Sequence, residues 1–268
     1  MSPIRVVVSG AAGRMGRAAV RTIAVQSDMK VVGAVGRSRA LGEDAGAVAG
    51  TAALGVAVEN DLDTLLARIP AEVLVEFAPG QGAVAHARSA VTRGVRPVIG
   101  ATGLSARDVE DLTTLCESHG VGGIIAPNFA LGAVLMMAFS RQASRYFPHV
   151  EVIELHHDRK RDAPSGTATK TAQMIAGARG EAPPPKVQEE EIVPGARGGT
   201  VGGVRVHSVR LPGLVAHQEV IFGGPGQVLT IRHDSFNEES FMPGLLLAVR
   251  RVMDLKSLVY GLENLLDQ

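Results

Sequence analysis

Ile4-Arg5-Val6-Val7-Val8-Ser9-Gly10-Ala11-Ala12-Gly13-Arg14-Met15-Gly16, residues 4–16, decides the fold class. The apolar run Ile4–Val8 reads as a fully buried strand. It turns directly into Arg14–Gln26, an amphipathic helical stretch. Glycine at such a junction permits a tight turn and lets the backbone approach a ligand closely. Free N–H groups at the helix start then favour a pyrophosphate. The spacing is GxxGxxG rather than the GxGxxG of the standard fingerprint. Its place at the first strand–helix junction points to dinucleotide binding, the alternative being a turn that only packs helix on sheet.

The same alternation continues outward. Val31–Val35, Val73–Phe77, Pro97–Ile99 and Gly123–Ile125 read as buried strands. Leu62–Arg68, Ala83–Thr92 and Ala106–Ser118 read as helices, with Ser105 an N-cap. Repeated strand–helix order predicts a parallel sheet with right-handed crossovers, a Rossmann-like α/β half. The pattern changes after about Asn128. A helix over Phe129–Tyr146, a strand over Val150–His156 and a helix over Thr167–Ala178 are expected, then a long exposed loop over Glu181–Gly203. Val204–Leu211, Val215–Phe222 and Val228–His233 predict an antiparallel meander, making the second half α+β on a mainly antiparallel sheet. Phe241–Met253 and Leu258–Leu266 look helical.

Composition narrows the function. The 268 residues are 46% hydrophobic and carry 27 basic and 27 acidic side chains. That is enough for a large core, and a balanced charge argues against a nucleic-acid partner. One cysteine, Cys116, excludes a disulfide framework or a cysteine-built zinc site. The longest apolar run, Phe129–Phe139, is too short to span a bilayer, and the first residues lack a signal-peptide pattern. A soluble cytoplasmic protein without a membrane partner is expected.

The densest chemistry lies in Glu154-Leu155-His156-His157-Asp158-Arg159-Lys160-Arg161-Asp162-Ala163-Pro164-Ser165-Gly166-Thr167-Ala168. His156 and His157 close a strand and point to opposite faces if it persists, which argues against one shared metal. Ser165, Gly166 and Thr167 open a helix whose start can hold a carboxylate or phosphate. Lys160 adds a point charge, and a histidine can move a proton near neutral pH. Acid chemistry on an anionic substrate follows; the alternative is a solvated charge run with an ordinary helix cap. His86, His119 and His149 read as surface residues. His207, His217 and His233 lie on the meander with no metal spacing, so no metal is expected. After the second strand stand Gly36 and Arg37. An acid that would hold a ribose 2′-hydroxyl is absent and an arginine follows, which leans toward NADPH over NADH.

With these motifs in place the chain resembles the dihydrodipicolinate reductase family along essentially its whole length. The carrying segments are Gly10–Gly16, Gly100-Ala101-Thr102-Gly103, Ala126-Pro127-Asn128-Phe129, Glu154–Ala168, Ser208–Gly213, His217-Gln218-Glu219 and Ile231–Ser235. The resemblance implies that His156 is the catalytic acid and Lys160 its partner, with His157, Ser165, Gly166, Thr167 and Thr102 meeting the substrate. It implies cofactor contacts from Gly10, Ala11, Ala12, Gly13, Arg14, Met15, Gly36 and Arg37. Gly100, Ala101, Thr102, Ala126, Pro127, Asn128 and Phe129 would lie around the nicotinamide. It further implies NADPH or NADH as cofactor, a small dicarboxylate substrate and a homotetramer. The first domain would span 1–127 and 237–268, and the second 128–236. Three departures stand out: Gly36 where many members carry an acid, Glu76-Phe77-Ala78 where Asp-Phe-Thr is frequent, and Glu238 where an arginine is frequent. The rival readings are another NAD(P)-dependent dehydrogenase acting on a small carboxylate, and a non-catalytic dinucleotide sensor. An acyl-forming aldehyde dehydrogenase needs a reactive cysteine, for which Cys116 is in the wrong setting.

Overall fold

The computed structural model describes every residue except 1, 102, 182, 183, 185, 186, 188, 189, 267 and 268. The chain forms two compact units, Met1–Phe129 with Phe241–Gln268, and Ala130–Ser240.

The first unit begins β1 (Ile4–Ser9), α1 (Arg14–Ala24), β2 (Met29–Val35), α2 (Ala45–Ala49), β3 (Val58–Glu59), α3 (Leu62–Arg68) and β4 (Val73–Glu76). It continues α4 (Gln81–Thr92), β5 (Arg96–Ile99), α5 (Ala106–His119) and β6 (Gly123–Ile125). All the pairings of its sheet are parallel. Val6, Val7 and Val8 of β1, Val73–Val75 of β4, and Val98 and Ile99 of β5 are fully buried. Helices on both sides of such a sheet explain the unbroken apolar runs. Ser105 closes a capping box with Asp108 at the start of α5.

The second unit holds α6 (Leu131–Ala143), β7 (His149–His156), α7 (Gly166–Arg179), β8 (Gly199–Val201), β9 (Val204–Arg210), β10 (Ala216–Gly224) and β11 (Gln227–Ser235). Its strand order is β11-β10-β7-β9-β8. The expected meander is therefore corrected. β10 and β11 do form an antiparallel hairpin, but β7 lies between β10 and β9. The chain leaves β7, runs through α7 and returns, and such a helical crossover makes β7 and β9 parallel. Along β7 the buried positions are Val150, Val152 and Glu154. Glu154 thus occupies a core-face position, where the pattern calls for an apolar side chain.

The chain then returns to the first unit through a 3₁₀ turn (Glu238–Phe241), α8 (Met242–Arg251), a second 3₁₀ turn (Val252–Asp254) and β12 (Leu258–Tyr260). The helix expected over Leu258–Leu266 is not formed. β12 pairs parallel to β6 and completes the seven-stranded order β12-β6-β5-β4-β1-β2-β3. Gly261, at φ 90°, breaks the chain before a 3₁₀ turn over Leu262–Leu265. Gly244 lets α8 approach the backbone of Phe129, since a Cβ there would stand 2.0 Å from the Phe129 carbonyl oxygen.

Gly16 is the least replaceable glycine of the first turn. A Cβ on it would lie 2.1 Å from the Gly10 carbonyl oxygen and 2.7 Å from its carbonyl carbon. Both atoms are backbone, so the turn itself must move. Gly16→Ala is expected to destabilise the protein by roughly 2–3 kcal/mol, read as a lowered Tm in thermal unfolding.

Candidate functional site

In the first unit the C-terminal ends of β1, β2 and β4 frame a cleft of about 610 Å³. Its lining includes Gly10, Ala12 and Gly13 of the glycine turn and Val35, Gly36, Arg37, Ser38 and Arg39 after β2. Clefts outside the carboxyl ends of a parallel sheet are where such folds bind ligands. Gly10 adopts φ 75°, and its position against Phe77 leaves a Cβ only 3.2 Å from that backbone. Gly13 caps α1 without any side-chain hydrogen bond, so the cap residue takes up none of the donors of the first helical turn. This cradle, with two exposed arginines at its rim, fits the adenosine and pyrophosphate half of a dinucleotide.

Not every residue expected at the cofactor lines this cleft. Ala11 is buried and its N–H donates to the Val35 carbonyl at 2.9 Å. Arg14 and Met15 lie in the first turn of α1, outside the lining. Gly36 is buried; a Cβ on it would come within 3.0 Å of Val58 Cγ1 and 3.3 Å of the Arg39 carbonyl oxygen. An acid at this position therefore needs Val58 and Arg39 to give by a few tenths of an ångström. Gly100 sits between Phe77 and Phe129, whose rings meet edge to face at 6.2 Å. Ala126 donates its N–H to Ile99 and is buried. Gly100, Ala101 and residues 126–129 thus gather at the ends of β5 and β6, beside the cleft rather than in it. Thr102 lies outside the described residues. Ser9, Ser38, Arg39, Asn60, Phe77, Ala78, Pro79, Gly82 and His86 line the cleft and were not anticipated. Asn60 follows β3, a two-residue strand too short to read from a pattern.

His86 corrects the surface reading. Its Nδ1 lies 2.7 Å from Glu76 Oε2 and 3.1 Å from Ser9 Oγ. His119 and His149, by contrast, are exposed. Cys116 is fully buried, and burial pushes its thiol up to about 11, so it is inert.

In the second unit Glu154 organises the histidine–lysine segment. His156 Nδ1–H donates to Glu154 Oε2 at 2.5 Å. Arg210 donates from both terminal nitrogens to the two carboxylate oxygens, at 2.9 and 2.7 Å. The Ser165 N–H adds a bond of 3.2 Å to Oε1. Register delivers these partners: Glu154 pairs with Ser208 and His156 with Arg210 across β7 and β9. Burial pushes the Glu154 carboxyl up, but hydrogen bonds from His156, Arg210 and Ser208 outweigh it and hold it at about 2. Because a carboxylate only accepts, the bond also fixes the tautomer of His156 and leaves Nε2 as its second nitrogen.

Around this centre lie the other expected residues. Ser165 Oγ accepts the Ala168 N–H and caps α7. Gly166 is exposed, and a Cβ there would meet nothing beyond its chain neighbours and its own helix, so the helix start is open beside it. Thr167 occupies the same half-buried first turn. Lys160 Nζ donates to both oxygens of Asp162 at 2.8 Å. The His157 Nδ1 is buried with no hydrogen-bond partner among the described residues. An orphaned polar atom three residues before Lys160 leaves hydrogen-bonding capacity that a polar ligand could take up. His207, His217 and His233 are scattered: the first pairs with Glu151, the second with Asp234 and the third with Ser235. Among the described residues no three His, Cys, Asp or Glu side chains converge as a metal site.

A glycine-turn parallel sheet joined to a histidine-bearing mixed sheet defines a dinucleotide-dependent α/β protein with a separate second unit. Residues 4–129 match the family described as dihydrodipicolinate reductase, N-terminus, and residues 132–266 its C-terminus. The chain belongs to the dihydrodipicolinate reductase family. It is 55% identical to the 4-hydroxy-tetrahydrodipicolinate reductase of Moorella thermoacetica over 267 residues, covering 100% of this chain and 99% of that one. It is 50% identical to the protein of the same name from Desulfitobacterium hafniense, covering all of both chains. A solved dipicolinate-bound dihydrodipicolinate reductase from Paenisporosarcina sp. TG-14 superposes with a TM-score of 0.89 at 44% identity, over 98% of this chain and 100% of that one. An amine dehydrogenase from Mycobacterium smegmatis, at 17% identity and a TM-score of 0.67 over 96% of this chain and 95% of that one, shares the fold alone.

The Glu154 clamp predicts an acid-labile fold. Its folded value near 2 lies below the ordinary 4.5, so its contribution is complete above about pH 4.5 and is lost as pH falls toward 2. Glu154→Gln leaves Arg210 without its charged partner and is expected to cost about 3–5 kcal/mol at neutral pH. Urea unfolding of both forms across this range should show the gap narrowing as the acid limb is entered.

Proposed function

We propose that the chain catalyses NAD(P)H-dependent reduction of 4-hydroxy-tetrahydrodipicolinate to tetrahydrodipicolinate in the diaminopimelate route to lysine, as a cytoplasmic enzyme. Family membership and the names of the full-length relatives support this reading. The single observation that carries it is the His156–Glu154–Arg210–Ser165 network, with Lys160 and the open start of α7 in the same segment. A sensor that only bound a dinucleotide would have no need of it. The dipicolinate in the Paenisporosarcina structure is a ring with two carboxylates. By analogy, a small dicarboxylate is the ligand class for this chain.

Gly10, Ala12, Gly13, Arg37 and Arg39 would hold the adenosine and pyrophosphate of the cofactor. When bound, the nicotinamide supplies a hydride. Lys160 exchanges its exposed partner Asp162 for a substrate carboxylate, a swap of one weak surface pair for another ion pair. The α7 start at Ser165–Thr167 receives a carboxylate beside it. His157 offers its unpartnered Nδ1 as a further contact. His156, oriented through Nδ1, delivers a proton from Nε2. Arg37 reads a 2′-phosphate, which favours NADPH, since no carboxylate at Gly36 repels it. The β10–β11 hairpin leaves Val228 70% and Leu229 37% exposed; further copies of the chain cover this sheet in a homotetramer.

Substrate-dependent NADPH oxidation, with substrate made in situ by the preceding synthase, tests the reaction. Wild type turns over; absence of oxidation with either cofactor overturns the reading. His156→Gln is expected to lower kcat by roughly 10²–10⁴ with cofactor binding nearly intact. Lys160→Ala should lower kcat/KM at least about tenfold. Arg37→Ala should weaken NADPH by roughly 1.5–3 kcal/mol and leave NADH nearly unchanged in paired titrations. Light scattering should give the mass of four chains.

A further inference from the structure

Glu76 is fully buried at the end of β4, in a strand that is otherwise Val73-Leu74-Val75. A carboxylate there is tolerable only with partners. One oxygen accepts the Ala78 N–H at 2.5 Å, and the other meets His86 Nδ1 at 2.7 Å. Ser9, the residue before Gly10, lies 3.1 Å from the same Nδ1. The ring is thus pinned through Nδ1 on one side of the glycine turn, and it lines the cleft with Gly10 and Gly13. Nε2 is the nitrogen left for the cleft.

We propose that His86 is a cofactor-contacting residue whose imidazolium, set in place by Glu76 and Ser9, donates its Nε2–H to the phosphates of a dinucleotide in the cleft. This rests on the reading of the cleft as the dinucleotide site. The sign of the interaction follows from the tautomer. With Nδ1–H committed to Glu76, a neutral ring turns a lone pair toward the cleft and a protonated ring turns a charged donor. A phosphate accepts only the second.

The surroundings favour the charged ring. The Glu76 hydrogen bond raises the His86 pKa above 6.5, burial opposes it, and the charges of Glu76, Asp63 and Asp61 add to the rise. Asp61 and Asp63 sit at the start of α3, where Asp63 pairs with Arg93, the C-cap of α4. Arg88 of α4 pairs with Asp111 of α5. Arg96, the charged residue of β5, stands at the opposite end of the strands. Protonated His86 therefore binds the anion, and affinity falls as pH rises through its pKa. By linkage, bound cofactor holds that proton more tightly.

NADH is the probe, because it lacks the 2′-phosphate whose own titration near pH 6 would confuse the profile. Fluorescence titrations of the full chain without substrate, from about pH 6 to 9, should show the wild-type Kd rising through the His86 pKa, by less than about tenfold per pH unit, to a high-pH plateau. His86→Asn should give a flat Kd near the wild-type high-pH value. Glu76→Gln should move the break to lower pH, and the His86 imidazole resonance in the NMR spectrum should shift its titration with it. A flat wild-type profile, or His86→Asn following the wild-type curve, overturns the proposal while leaving the cleft a dinucleotide site. If neither NADH nor NADPH binds at any pH, the cleft reading falls as well. Should a variant fail to fold, the wild type alone decides: saturating NADH must raise the pH at which His86 titrates, and an unmoved titration refutes the contact.

Discussion

A carboxylate with no solvent exposure, Glu154, holds the second unit's site together. Its position on β7 faces the core, where a lone charge would be untenable. Four groups from three places make it tenable: His156 two residues on, Ser165 at the start of α7, and Ser208 and Arg210 from β9. Each is fixed in return. The loop between β7 and α7 is closed at both ends by the same side chain, and Arg210 also reaches the Asp162 carbonyl within that loop. The placement of Lys160 and the α7 start follows from this closure. The parallel pairing of β7 and β9 is what makes it possible, because it puts Arg210 opposite His156.

The first unit uses the same device at another scale. Glu76 is a second fully buried acid at a strand end, and it fixes His86 against Ser9 beside the glycine turn. The turn itself is shaped by close backbone approach: Gly10, Gly13 and Gly16 pack on one another's carbonyl and on Phe77. Backbone supplies the cradle, and a carboxylate–histidine pair supplies an oriented polar group at its edge.

Much of this was legible. The β-branched run Val6–Val8 and the glycines after it mark a buried strand and its turn, and the structure has both. The motif Glu154–Ala168 marks the segment that the Glu154 carboxylate draws together through His156 and Ser165. What was not legible has physical causes. Neighbouring strands in sequence suggested a meander, because nothing local reveals that β7 inserts between β9 and β10. Arg210 lies 56 residues from Glu154, so its bond to that acid depends on register rather than on spacing. β3 and β8 are two and three residues long, below any periodic signal. Gly261 ended a helix-like apolar run that pairs with β6 instead. His86 was read as surface because an isolated polar residue on an amphipathic helix usually is. The missed signal was Glu76: an acid closing the apolar run Val73-Leu74-Val75 requires a partner.

The kcat of Glu154→Gln, measured at a temperature where the variant is folded by circular dichroism and saturated with cofactor, tests most directly whether Glu154 orients His156. An amide can present an N–H to Nδ1 and so release the tautomer that the carboxylate enforces. The expected result is a kcat roughly 10–100-fold below wild type, with KM changed far less and cofactor affinity preserved. A folded Glu154→Gln protein with wild-type kcat would contradict it and leave Glu154 a purely structural acid.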